Sequence, residues 1–63
     1  MQEFRIPNMT CGHCARTVTE AVKAADPAAL VEIDLPTQQV KVDSDAPREE
    51  LAARLAAAGF APA

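Results

Sequence analysis

Two cysteines stand three positions apart in Met9-Thr10-Cys11-Gly12-His13-Cys14, and the chain has no others. A thiolate is a nucleophile, a redox centre and a soft metal ligand, so this is where the chain can do chemistry. Two sulfurs do not complete a structural zinc site, which takes four ligands. A soft monovalent ion fits better. Cu(I) seeks thiolates, accepts two of them in a near-linear arrangement and leaves room for a third from another molecule. Cys11 and Cys14 are therefore the expected metal ligands and Cu(I) the expected cargo, held openly enough to be given up.

Redox chemistry is the rival. Cys-Gly-His-Cys is similar to the active-site tetrapeptide of protein disulfide isomerases. Thioredoxin-like redox domains, however, run to about a hundred residues and usually carry Trp before the first Cys. Here Thr10 holds that place, there is no Trp, and the chain has 63 residues. Binding without catalysis is the stronger expectation. The neighbours of the pair have readings of their own. Gly12 is expected to let the backbone turn tightly between the sulfurs. His13 is expected to face solvent, with a part-time third ligand as its alternative. Met9 is expected to plug the core under the loop rather than bind metal. Phe60 is either an apolar lid on the loop or ordinary core.

The elements that must position this pair follow from periodicity. Gln2 to Ile6 alternates as a strand with Phe4 and Ile6 inward. Pro7 stops it, and Asn8 is a residue that takes a left-handed turn cheaply. From Gly12 to about Ala25 the spacing becomes helical, with Cys14, Val18, Ala21, Val22 and Ala25 on one stripe. Arg16 and Glu20 are placed for an i,i+4 pair. Asp26-Pro27 ends the helix. Leu30 to Leu35 and Gln39 to Asp43 alternate as two strands of a hairpin, with Pro36 in the second position of its turn. A second helix opens at Ser44-Asp45-Ala46-Pro47, capped by Asp45 or Ser44, with Leu51, Leu55 and Ala58 inward. Gly59 closes it, and Phe60 to Ala63 forms a stub of a last strand in which Pro62 requires a sheet edge. This order, βαββαβ, predicts an α+β ferredoxin-like sandwich, two helices on one face of a four-stranded antiparallel sheet, as a single domain over residues 1–63.

Composition narrows the function classes. Nine acidic against six basic residues give a net charge of −3 without a basic cluster, which argues against nucleic acid. No apolar run approaches the ~20 residues of a membrane span, and MQEFRIPNM is no export signal, so a cytoplasmic chain is expected.

With Met9-Thr10-Cys11-Gly12-His13-Cys14 matching Met-x-Cys-x-x-Cys, and with Val31-Glu32-Ile33-Asp34-Leu35, Val40-Lys41-Val42 and Ala58-Gly59-Phe60, the chain resembles the heavy-metal-associated domain family over essentially its whole length, bacterial copper chaperones in particular. The resemblance implies Cu(I) on Cys11 and Cys14 and handover to a copper-transporting P-type ATPase by thiolate exchange. It also implies a possible copper-bridged homodimer. Zinc-handling relatives tend to carry Asp directly before the first Cys, where this chain has Thr10. Asn8 stands where Gly commonly precedes the Met, and Phe60 replaces a more usual Tyr. Other uses of the same site are a regulatory module of a heavy-metal transporter or a mercury-binding protein.

Overall fold

The computed structural model describes residues 1–63. Its elements are β1 (Gln2–Arg5), α1 (Gly12–Ala25), β2 (Leu30–Asp34), β3 (Gln39–Asp43) and α2 (Arg48–Ala57). The strands form one antiparallel sheet in the order β1-β3-β2. Register sets the two faces. Phe4 pairs with Val40 and Val40 with Ile33, while Glu3 pairs with Lys41 and Lys41 with Glu32. The first row is apolar and turns inward; the second is charged and exposed.

Both helices cover the apolar face. Val18 and Val22 from α1 and Leu51 and Leu55 from α2 join Phe4, Ile6, Val40 and Val42 in one buried cluster. Burying each such side chain contributes about 1.5–3 kcal/mol, which a chain this short needs. The inward stripe of α1 is the one its periodicity predicts, with Cys14, Ala21 and Ala25 half-buried along its margin. Arg48 lies over the Phe4 ring, 4.2 Å from its centroid, so a cation closes the sandwich where α2 begins.

The hairpin turns as expected at Pro36, with the Gln38 N–H donating to the Leu35 carbonyl at 3.2 Å. Leu35 itself belongs to the turn and not to β2. Gln38, and not Asn8, takes the left-handed conformation, with φ +59°.

Three further expectations are corrected. The sheet has three strands, not four: the tail Phe60–Ala63 forms no strand. It reaches β1 through one bond, the Ala63 N–H to the Arg5 carbonyl at 2.7 Å. Pro62 has no N–H with which to add a rung. Neither Ser44 nor Asp45 caps α2; Pro47 holds the N-cap position without a side-chain bond. Ser44 is engaged elsewhere, donating to the Asp26 carboxylate at 2.6 Å and accepting the Ala46 N–H at 3.0 Å. Ala58 is the C-cap and only half-buried.

Candidate metal centre

The pair sits where β1 hands over to α1. Pro7 ends the ladder, and the Met9 N–H closes a turn onto the Ile6 carbonyl at 3.1 Å. Met9 then drops fully into the core as the floor of the loop. Cys11 takes the N-cap position in extended backbone (φ −148°, ψ 170°) but offers no side-chain cap. Its sulfur is left exposed. Cys14, one turn into α1, is half-buried. The two sulfurs are 3.2 Å apart as free thiols, one donating to the other.

The electrostatics favour negative charge here. A helix N-terminus presents unpaired N–H groups and the positive end of its dipole, and the first turn of α1 holds no acidic residue to offset it. Hydrogen bonding from the Thr10 backbone, and next from the Cys11 thiol, holds the Cys14 thiol below its ordinary value against a smaller upward push from burial.

Three loop ends converge beneath this site. The Asn8 side-chain amide donates to the Gly59 carbonyl at 2.7 Å. The Gln38 amide donates to the Pro7 carbonyl at 2.6 Å, and the Gln38 carbonyl accepts the Ile6 N–H at 2.9 Å. Gly59 can serve Asn8 because of how α2 ends. With φ +90°, Gly59 donates to Ala56 at 3.0 Å while Phe60 donates to Leu55 at 2.9 Å, the two bonds of a Schellman stop. Phe60 packs half-buried against the core, next in sequence to the carbonyl that holds the loop.

The residues singled out from sequence separate clearly. Cys11 and Cys14 are brought together. Met9 is the plug it was expected to be. His13 is exposed and joins no group of three potential ligands with the cysteines. Gly12 needs no special backbone: it has no positive φ, it opens α1, and a Cβ there would touch nothing. Asn8 and Gln38 were missed as supports because their partners lie 51 and 31 residues away in sequence.

The match to known proteins extends over nearly the whole chain. The model of the heavy-metal-associated domain matches residues 3–61. The chain belongs to the heavy-metal-associated domain family. This domain is similar to a gold binding protein of known crystal structure, at 42% identity over 95% of this chain and 92% of that one, with a TM-score of 0.92. It is similar to the copper chaperone Atx1 from Synechocystis PCC6803 in a trimeric form, at 32% identity over the whole of both chains, with a TM-score of 0.97. The solution structure of a cyanobacterial copper metallochaperone, ScAtx1, is also alike, at 32% identity over 98% of this chain and 97% of that one and a TM-score of 0.79. Among curated proteins, none matched. No helix of this domain is long and apolar enough to cross a membrane.

Proposed function

We propose that this heavy-metal-associated domain is a metallochaperone that carries Cu(I) on Cys11 and Cys14 and passes it on without catalysis. The observation that carries this reading is the site's incompleteness: two free sulfurs 3.2 Å apart, with no third His, Cys, Asp or Glu grouped with them. Zinc wants two more ligands, whereas a soft monovalent ion does not. The copper chaperones among its structural relatives support the same cargo.

Transfer then follows from unequal exposure. An incoming thiolate of the acceptor adds to the ion as a third sulfur. Cys11, the exposed member and the one on the loop, is the ligand that leaves first and takes up a proton. Cys14, half-buried and rooted in α1, is the last to let go. The acceptor proposed is the metal-binding domain of a copper-transporting P-type ATPase, reached in the cytoplasm. A second copy of the chain would satisfy the same open coordination, giving a copper-bridged homodimer. Residues 1–63 act in this as one domain.

A second cargo is favoured by one observation, the 42% identity to a gold binding protein. Au(I) is likewise soft, monovalent and content with two sulfurs. Anaerobic titration of the reduced protein against a Cu(I) chelator tests the main reading, with X-ray absorption reporting two sulfurs around the ion. Repeating the competition with Au(I) ranks the two cargoes. A protein that ignores Cu(I) under these conditions is not a copper carrier, and strong insulin reduction instead would make it a thiol–disulfide enzyme.

A further inference from the structure

The loop Pro7–Thr10 delivers only one of the two sulfurs, and it is tied from both sides by side-chain amides. Asn8 holds it to the end of α2 at 2.7 Å and Gln38 holds it to the β2–β3 turn at 2.6 Å. Asn8 is exposed and adds nothing to the core, and Met9 already anchors the loop from below. An exposed amide aimed at a carbonyl on another element, three residues before Cys11, has the geometry of a brace.

We infer that Asn8 is a positioning residue for the thiol pair: by clamping the loop to the Gly59 carbonyl, it holds the Cys11 sulfur against that of Cys14 before any ion arrives. The physical basis is preorganisation. A chelate whose arms are already in place loses less conformational freedom on closing and opens less readily. Cys14 needs no such help, because α1 fixes its backbone. Cys11 lies at the end of the loop, so freedom gained at Asn8 is passed to its sulfur.

The test has a metal-free arm and a copper arm; only the copper arm rests on the proposed cargo. In the first, the reduced protein is equilibrated with glutathione disulfide. The two protein thiols give up two protons and two electrons and form the Cys11–Cys14 bond, and the glutathione disulfide leaves as two glutathione thiols. The equilibrium constant reads the effective concentration of one sulfur at the other. In the second, the Cu(I)-loaded protein releases its ion to an excess of chelator, and the rate is followed by absorbance.

Asn8→Ala and Asn8→Asp both lose the donor. Each is expected to lower the effective concentration and speed Cu(I) release by about two- to tenfold, the share of one hydrogen bond. Asn8→Gln keeps the amide and is expected to recover most of both. Melting temperatures should stay within a few degrees of the parent. Wild-type values in Asn8→Ala and Asn8→Asp would overturn the inference. So would a fall shared by Asn8→Gln and matched by lost thermal stability, which would make Asn8 merely structural. A wild-type protein that fails to bind Cu(I), yet shows the glutathione effect, would sink the cargo and leave the brace standing.

Discussion

The two ends of this sandwich are built from the same kind of joint and resolved in opposite ways. At the end where α1 finishes, a run of hydrogen bonds links the polar groups and leaves only the Gln2 side-chain oxygen buried without a partner. Asp26 accepts the Ala28 N–H at 3.0 Å and the Ser44 hydroxyl at 2.6 Å. Ser44 accepts from Ala46, whose carbonyl takes the Gln2 side-chain amide at 2.9 Å. That network ties the start of β1, the end of α1, the end of β3 and the approach to α2, and it offers nothing reactive. At the end where α1 begins, hydrogen bonds are spent on the backbone around the site, through Asn8 and Gln38, while the two sulfurs meet at 3.2 Å as free thiols. The difference teaches where function can be placed: one end of the sandwich is closed by linked polar side chains with a single oxygen unpaired, while the other leaves its two thiols open.

The largest break in that contrast comes from removing a sulfur. Cys11→Ser or Cys14→Ser should abolish tight Cu(I) binding while leaving the circular dichroism spectrum unchanged, since neither thiol is a core residue. Chelator competition measures it, and near-normal affinity in either variant would count against the site. Acid should act next most strongly. Protons compete with the ion for each sulfur, so affinity should fall with pH by up to about tenfold per unit for each thiol that must shed a proton. Because Cys14 is held below its ordinary value, its share of the loss is deferred to lower pH. A flat affinity between neutral and mildly acidic pH would be incompatible with two thiolate ligands.

Met9→Ala removes the floor of the open end. Met9 is fully buried, and such truncations cost about 2–5 kcal/mol, readable by urea unfolding. A loss well below 1 kcal/mol would mean that the loop does not rest on it.

The closed end gives a smaller effect of known sign. The Ser44 hydroxyl first, and then the Ala28 amide, hold the Asp26 carboxyl below its usual range. A carboxyl whose folded value is depressed stabilises the protein above its unfolded value, about 3.9, and that contribution disappears as pH falls through the folded value. Asp26→Asn should therefore flatten the drop in melting temperature on acidification below about pH 4, with little change in Cu(I) affinity at neutral pH. A parallel drop in parent and variant would remove Asp26 from the account. Smallest of all, Glu20→Gln breaks the exposed 3.3 Å pair with Arg16. It should shift stability by no more than about 0.5 kcal/mol.

Much of this was legible in the sequence because it is periodic or local. The 3.6-residue stripe over Gly12–Ala25, the alternation in Phe4-Arg5-Ile6 and Val40-Lys41-Val42, the turn at Pro36 and the helix stop at Gly59 each depend on residues a few positions apart. So does the spacing of Cys11 and Cys14. What stayed hidden depends on partners far along the chain. Ser44 reads as a cap until Asp26, 18 residues earlier, takes its hydroxyl. Asn8 reads as a turn former until Gly59 presents a carbonyl to it. Gln38 carries no left-handed preference of its own, yet it sits at φ +59° with its carbonyl and its side-chain amide both engaged by the segment around Pro7. The fourth strand reads as a strand in the sequence, yet the tail makes only the one rung from Ala63 to Arg5 and no ladder.

The single latch from Ala63 to Arg5 has a consequence for handling the protein at high concentration. It leaves the outer margin of β1 almost unzipped, the sort of margin onto which foreign strands can stack into fibres. The strand is only four residues long, and its outward-pointing positions are Glu3 and Arg5, one of each sign. Such a margin is too brief and too charged to template growth, so that flank should not seed stacking in concentrated stocks.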